Sequence, residues 1–181
     1  FIRKMQVTYK NPVEYSLNLG EHSLVLNKYL GKNISLDFNA EIACISCHKK
    51  IRKTFNQGYC FPCFRTLAEC DQCVMRPELC HFFSGTCRQE SWGLKHCMQS
   101  HIVYLSYTSA PKVGLTKEAN IPSRWIDQGA IEGLAILKLR TRYAAGLCED
   151  ILRESINDRT NWRKMLSDVK NDSDHLKKIA S

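Results

Sequence analysis

Cys44 and Cys47 form one CxxC pair, and Cys60 and Cys63 form a second. The loop between them holds Lys49, Lys50, Arg52 and Lys53 and no acidic residue. A CxxC turn aims two thiolates at one point, and two such turns supply the four ligands of tetrahedral zinc. The competing chemistry for `CFPC` at residues 60–63 is a thioredoxin-like redox pair, which normally follows a strand and opens a helix in a larger α/β fold. The partner pair close upstream and the turn-like `NQGY` before Cys60 favour structural zinc.

A second cluster offers Cys70, Cys73, Cys80, Cys87 and Cys97, with His81, His96 and His101 nearby. Cys70 and Cys73 have the best spacing for a ligand pair, and the other three can return on later loops. Five thiols compete for four places around a second zinc, and the spacing leaves the set open. Cys148 stands apart near Leu147, Ile151 and Leu152 and reads as a small buried hydrophobe. The cations at Lys49, Lys50, Arg52 and Lys53 fit phosphate neutralisation, with Phe55 and Tyr59 as stacking surfaces. They fit equally a solvated face that balances the negative charge of a tetrathiolate site.

These sites have to be positioned by a chain of 181 residues, enough for one moderate domain or two small ones. Its 44% hydrophobic and 24% charged residues are ordinary for a globular protein. Nine of its ten cysteines fall between Cys44 and Cys97. That clustering, with no apolar run of secretion-signal type in `FIRKMQVTYKN`, predicts metal-bound thiolates in the reducing cytoplasm rather than disulfides. No stretch reaches transmembrane length, so no membrane partner is expected. A formal charge of +8 points to an anionic partner, DNA or RNA first.

The expected fold class is α+β in three parts. Residues 1–43 carry the β-favourable runs `MQVTY`, `YSLNL`, `HSLVLN` and `NISLDF`, which predict a small antiparallel sheet. Residues 44–100 form a cysteine-rich, zinc-ribbon-like segment with few apolar runs. Residues 101–181 read as a compact α/β unit. Its strands are `HIVYLSYT`, `APKVGLT` and `AIEGLAILKLRT`, with a short helix at `PSRWIDQG` between the second and third. A longer helix follows in `RYAAGLCEDILRESIND`, with Ala144, Leu147, Ile151 and Leu152 on its apolar side and Ile156 near it. Further helix is expected after it, with Asp158 and Thr160 as cap donors.

The C-terminal half resembles the GIY-YIG superfamily of nucleases. The first signature strand is similar to `IVY` at Ile102–Tyr104, with Ile102 at the usual Gly, and the second to `KVG` at Lys112–Gly114. Arg124 matches the superfamily arginine, and Glu149 sits in the helix after the third strand, where a metal-binding glutamate belongs. The whole chain also resembles a bacterial family of uncharacterised cysteine-rich proteins carrying this domain, through `YCFPCF`, `RPELCHFFSGTCR`, `HIVYLS`, `KVGLT` and `RWIDQGA`.

The superfamily resemblance implies roles. Glu149 would hold a divalent cation, Mg²⁺ or Mn²⁺, that polarises a phosphate. Tyr104 would orient or deprotonate water, and Arg124 would bind phosphoryl oxygens. Lys112 stands where the second motif has tyrosine; its ammonium binds phosphate but is a poor base at neutral pH. Trp125 and `DQGA` would form a phosphate or base recognition loop. The expected function is a zinc-stabilised nucleic-acid-binding protein without cleavage. The alternatives are a metal-dependent endonuclease of GIY-YIG type and a zinc-dependent protein-interaction module.

Overall fold

A computed structural model of the chain describes residues 2, 4–156 and 176. The helical segments expected beyond Asp158, with Thr160 as a second cap, lie outside the described residues. Near the N-terminus, β1 (Gln6–Thr8), β2 (Glu14–Leu19) and β3 (His22–Val25) form an antiparallel meander. The Asn27 side chain closes it: its Oδ1 accepts from Tyr15 N at 2.8 Å, and its Nδ2 donates to Val13 O at 2.7 Å. The fourth run expected to be a strand, residues 33–38, is not one. Its Ile34, Leu36 and Phe38 are exposed. Alternation alone does not make a strand where no sheet edge receives it.

The middle segment holds little regular structure. A two-residue-per-strand hairpin, β4 (Ile42–Ala43) and β5 (Lys50–Ile51), precedes the short helices α1 (Phe61–Thr66), α2 (Gln72–Met75) and α3 (Glu90–His96). Single 3₁₀ turns connect them. The bulk of the apolar core lies elsewhere, where Val103, Leu105, Val113, Ala145 and Leu176 cluster.

That core belongs to an antiparallel sheet of order β7-β6-β8, with β6 (His101–Tyr107) in the centre, β7 (Pro111–Lys117) and β8 (Glu132–Leu139). Helix α4 (Ser123–Asp127) lies between β7 and β8, and α5 (Arg142–Ser155) follows β8. The order strand, strand, helix, strand, helix is the expected one. The central strand is nearly all buried, which suits its run of Ile, Val, Tyr and Leu. A bulge at Ile136 shifts the pairing of β8 with β6 between Val103 and Tyr104. Thr141 caps α5, its Oγ1 accepting from Ala144 N at 3.2 Å. No helix among the described residues is long and apolar enough to cross a membrane.

The apolar side of α5 differs from the expected one. Leu147 and Ile151 are exposed, whereas Ala145 is a core residue and Cys148, Leu152 and Ile156 pack against that core. Cys148 therefore has the packing role read from its neighbours. A helix rich in aliphatic residues all round offers two plausible stripes, and the sheet selects the one carrying the small Ala145.

The middle segment docks onto α5 through the turn at Pro77–Leu79. A Cβ built on Gly146 would lie 2.5 Å from Pro77 Cβ and 2.9 Å from Glu78 N. Backbone cannot swing aside as a flexible side chain can. Gly146→Ala should therefore lower stability by about 1–3 kcal/mol, outweighing the gain of roughly 1 kcal/mol in helix propensity. Leu147→Ala, on the exposed side, should change it by less than about 0.5 kcal/mol. Thermal unfolding of both zinc-loaded variants checks the pair, and equal stabilities would refute the tight docking.

Candidate functional site

Cys44 follows β4, and Cys47 lies in the turn that leads to β5. Cys44 N donates to Lys49 O at 2.9 Å and His48 N donates to Cys44 O at 3.0 Å, closing a tight turn around the first pair. Cys60 caps the start of α1, and Cys63 lies in that helix, which has Pro62 near its start. The second pair thus opens a helix, the feature associated with redox CxxC pairs. Its thiols nevertheless converge with those of the first pair. All four Sγ atoms lie within 4.8 Å of one another. Cys47 Sγ and Cys60 Sγ are 3.7 Å apart. A zinc tetrahedron with Zn–S of about 2.3 Å has S···S edges of roughly 3.8 Å. The donor set fits a metal ion such as zinc, and all four thiols are free.

The protonation pattern agrees with a site built for a cation. Burial pushes the Cys44 thiol up, but backbone N–H groups of Cys47, Cys60 and Ser46 outweigh it and bring it down to about 6. Cys63 is pushed up to about 12 by hydrogen bonding with Cys60, reinforced by burial. Four crowded thiols cannot all ionise without a cation to share their charge.

The basic residues expected to meet phosphate surround this turn. Lys49, Lys50, Arg52 and Lys53 are all exposed. Lys50 pairs with Glu41. Lys53 Nζ sits 5.4 Å from the Phe55 ring centre. Phe55 itself packs on Phe61 and Phe64, with ring centres 5.3 and 5.8 Å away. Tyr59 is half-buried, and burial together with hydrogen bonding to Glu69 raises its phenol. Both rings serve the packing of this small unit rather than standing open for bases.

The remaining cysteines separate. Cys73, Cys80, Cys87 and Cys97 line one small cavity, and Cys70 does not. Cys70 is buried, hydrogen-bonded to Asn56 and close enough to feel the Cys44 charge. The CxxC spacing of Cys70 and Cys73 therefore does not make them one ligand pair. Asp71 between them caps α2, accepting from Cys73 N at 3.3 Å.

A second, larger cavity of about 300 Å³ lies between the C-terminal sheet, α5 and α2. Tyr104, Lys112, Arg124 and Glu149 all line it. Tyr104 is fully buried and donates from its hydroxyl to Gln128 Oε1 at 2.7 Å. It pairs across the sheet with Gly114, where a Cβ would meet the phenol oxygen at 2.6 Å. Burial raises the phenol above its usual value, while Arg124 pulls it back. Tyr104 is thus a hydrogen-bond donor at neutral pH, not a base.

Glu149 is buried and accepts from Arg153 Nη2 at 3.0 Å. Arg142, Arg153 and Gln128 also line the cavity. Neither arginine is among the expected site residues, though the spacing of Glu149 and Arg153 offers an i,i+4 pair. Their signal is helical: residues 142, 149 and 153 are spaced by seven and four, which puts them on one stripe of α5. Val74, Met75 and Pro77 supply a wall from the middle segment. Trp125 does not line the cavity, contrary to its expected recognition role. Its ring lies edge-on 6.0 Å from Tyr104 and rests over Gly133 of β8, where a side chain would clash. It backs the tyrosine.

A family model described as a protein of unknown function, DUF2797, matches residues 31–181. The chain belongs to this family. No curated protein and no solved structure matches the chain. The match begins after β3, so it takes in every cysteine and both cavities and leaves the N-terminal meander outside.

Two outcomes follow from this geometry. Cys60→Ser should lose the metal at the first centre and destabilise residues 42–66, as elemental analysis and hydrogen exchange would show. Retention of full metal content would refute the assignment. For Glu149, burial raises the carboxyl above its ordinary 4.5 against the pull of Arg153 and Arg142. The folded state then holds this proton more tightly than the unfolded state. Its contribution to stability is complete below that ordinary value and is lost as pH rises through the raised one. Wild-type stability measured against Glu149→Gln should therefore fall as pH rises above about 4.5, a trend that parallel thermal melts test.

Proposed function

We propose that the chain is a zinc-stabilised nucleic-acid-binding protein that grips a phosphodiester in the cavity beside Tyr104. The observation that carries this reading is the charge of the lining. Lys112, Arg124, Arg142 and Arg153 meet there against the single carboxylate of Glu149. Arg142 also has a buried Nε with no hydrogen-bond partner among the described residues, a donor suited to an anionic oxygen. Such an excess of cations in a concave site attracts phosphate more strongly than the same charges on an open face. The likeness to the GIY-YIG superfamily supports the same reading, because the four residues it singles out all line this cavity.

Binding is favoured over cleavage by the chemistry of those residues. Tyr104 keeps its proton, its phenol raised by burial, and Glu149 is engaged by Arg153. A resident Mg²⁺ or Mn²⁺ needs several oxygen ligands. One carboxylate among four cations does not fit that need, so no step through such an ion is derived. The exposed cations around the first cysteine turn would extend the phosphate contacts along a strand.

The reading predicts salt-sensitive binding of short DNA or RNA oligonucleotides. Lys112→Ala and Arg124→Ala should each weaken it and reduce the slope of log K against log salt by about one. Glu149→Gln should preserve or tighten binding, since it removes the opposing charge. Unchanged affinity and slope in both cation variants would refute the phosphate role. Mg²⁺-dependent cleavage by wild type that Glu149→Gln abolishes would replace this reading with the endonuclease one.

A further inference from the structure

The segment from α1 to α3 poses a problem of cohesion. Of its large apolar residues, Met75, Leu79, Phe83 and Leu94 are exposed and Phe64, Leu67, Phe82 and Trp92 only half-buried, and none belongs to the main core cluster. Its helices are too short to be stable alone. Hydrophobic burial does not hold this stretch in shape, so a crosslink has to.

We propose that Cys73, Cys80, Cys87 and Cys97 form a second tetrathiolate zinc centre, separate from the first and excluding Cys70. The four thiols come from α2, the end of the turn at Pro77–Leu79, the loop before α3 and the C-terminal end of α3. They line one cavity of about 10 Å³, room for roughly one water-sized sphere. Phe82 and Trp92 also line it. Gly93 permits the approach: a Cβ there would stand 3.3 Å from Cys87 Sγ and 2.7 Å from the Phe82 ring. All four cysteines are free, so no disulfide supplies the crosslink instead.

A different donor set competes for Cys73. Asp71, Cys73 and His81 place ligand atoms within 4.8 Å of one another. Asp71, however, is already engaged. Its Oδ1 accepts from Cys73 N, and its Oδ2 lies 2.6 Å from Arg88 Nε. His81 Nδ1 is 2.8 Å from Thr86 Oγ1. The four thiols line one cavity but do not converge to within 4.8 Å as the Asp71, Cys73 and His81 atoms do, so the ion has to draw them together; zinc favours the four thiolates because each added sulfur donor is softer and more strongly bound than a carboxylate. Asp71 and Arg88 then form the rim, and the arginine offsets the charge of the thiolates. Arg88 Nη1 also donates to the carbonyls of Phe64 at 3.1 Å and Leu67 at 3.3 Å, tying this centre to α1 of the first.

Binding replaces four S–H protons with one Zn²⁺, and the protons pass to solvent with no change of oxidation state. The centre fixes the wall of the large cavity. Arg142 Nη2 donates to the carbonyl of Val74, next to Cys73, at 2.6 Å, and Arg142 N donates to the carbonyl of Cys97 at 2.8 Å. Two ligand-bearing segments thus hold one arginine.

The test is zinc counting with X-ray absorption at the zinc edge on the intact chain. Two zinc ions per chain are expected, with sulfur-only coordination at about 2.3 Å. Cys80→Ser and Cys87→Ser should each lose one of the two, and Cys70→Ser should keep both. One zinc in the wild type would overturn the proposal. So would nitrogen or oxygen ligands in the wild-type spectrum, which would assign the site to Asp71, Cys73 and His81. Loss of a zinc in Cys70→Ser with retention in Cys87→Ser would overturn the ligand set. The wild-type spectrum needs no variant to fold, so it decides even if the serine substitutions unfold the chain.

Discussion

The segment before the C-terminal sheet gathers nine of the ten cysteines within about fifty residues and contributes nothing to the main apolar core. The sheet of β6, β7 and β8 buries Val103, Leu105 and Val113 against Ala145 of α5 and stands on ordinary hydrophobic burial. The segment before it exposes Met75, Leu79, Phe83 and Leu94 and so gains little from that source. Crowded thiols cannot all ionise without a cation to share their charge. Metal binding at these thiols, as proposed, would supply the missing cohesion and fix the position of everything docked onto that segment.

The large cavity inherits this dependence. Two of its walls, β6–β7 and α5, are held by the apolar core, and the third, at Val74–Pro77, is held by the cysteine-rich segment. The seam between them is narrow. Pro77 presses on Gly146, and Arg142 reaches the backbone beside Cys73 and at Cys97. A residue that serves both as a brace and as a lining cation couples the shape of the cavity to its charge. Arg153 has a similar double duty, pairing with Glu149 while lining the same space.

The distribution of charge sharpens the contrast between surface and cavity. Several surface cations are matched locally, as Lys10 is with Glu14, Lys50 with Glu41 and Lys138 with Glu118. Exposed pairs of this kind contribute little to stability. Inside the cavity four cations face one carboxylate, and water is partly excluded, so the imbalance is felt more strongly there. The net charge of +8 is thus a weaker guide to a partner than the place where the excess concentrates.

The sequence alone determined the features that arise within a few residues of one another. The pairs Cys44/Cys47 and Cys60/Cys63, the order of the C-terminal elements and the cap at Thr141 all depend on short-range geometry. The four residues picked out by resemblance, Tyr104, Lys112, Arg124 and Glu149, line one cavity, a convergence no local pattern could place. Tertiary structure alone decided which thiols share a cavity, since Cys73, Cys80, Cys87 and Cys97 line one and Cys70 does not, despite its spacing to Cys73. It also chose the buried stripe of α5, moved Trp125 behind Tyr104, and left residues 33–38 without a strand partner. Periodicity and spacing record what one element can present. What that element meets is settled by competition for partners far away in the chain, and no local pattern carries that information.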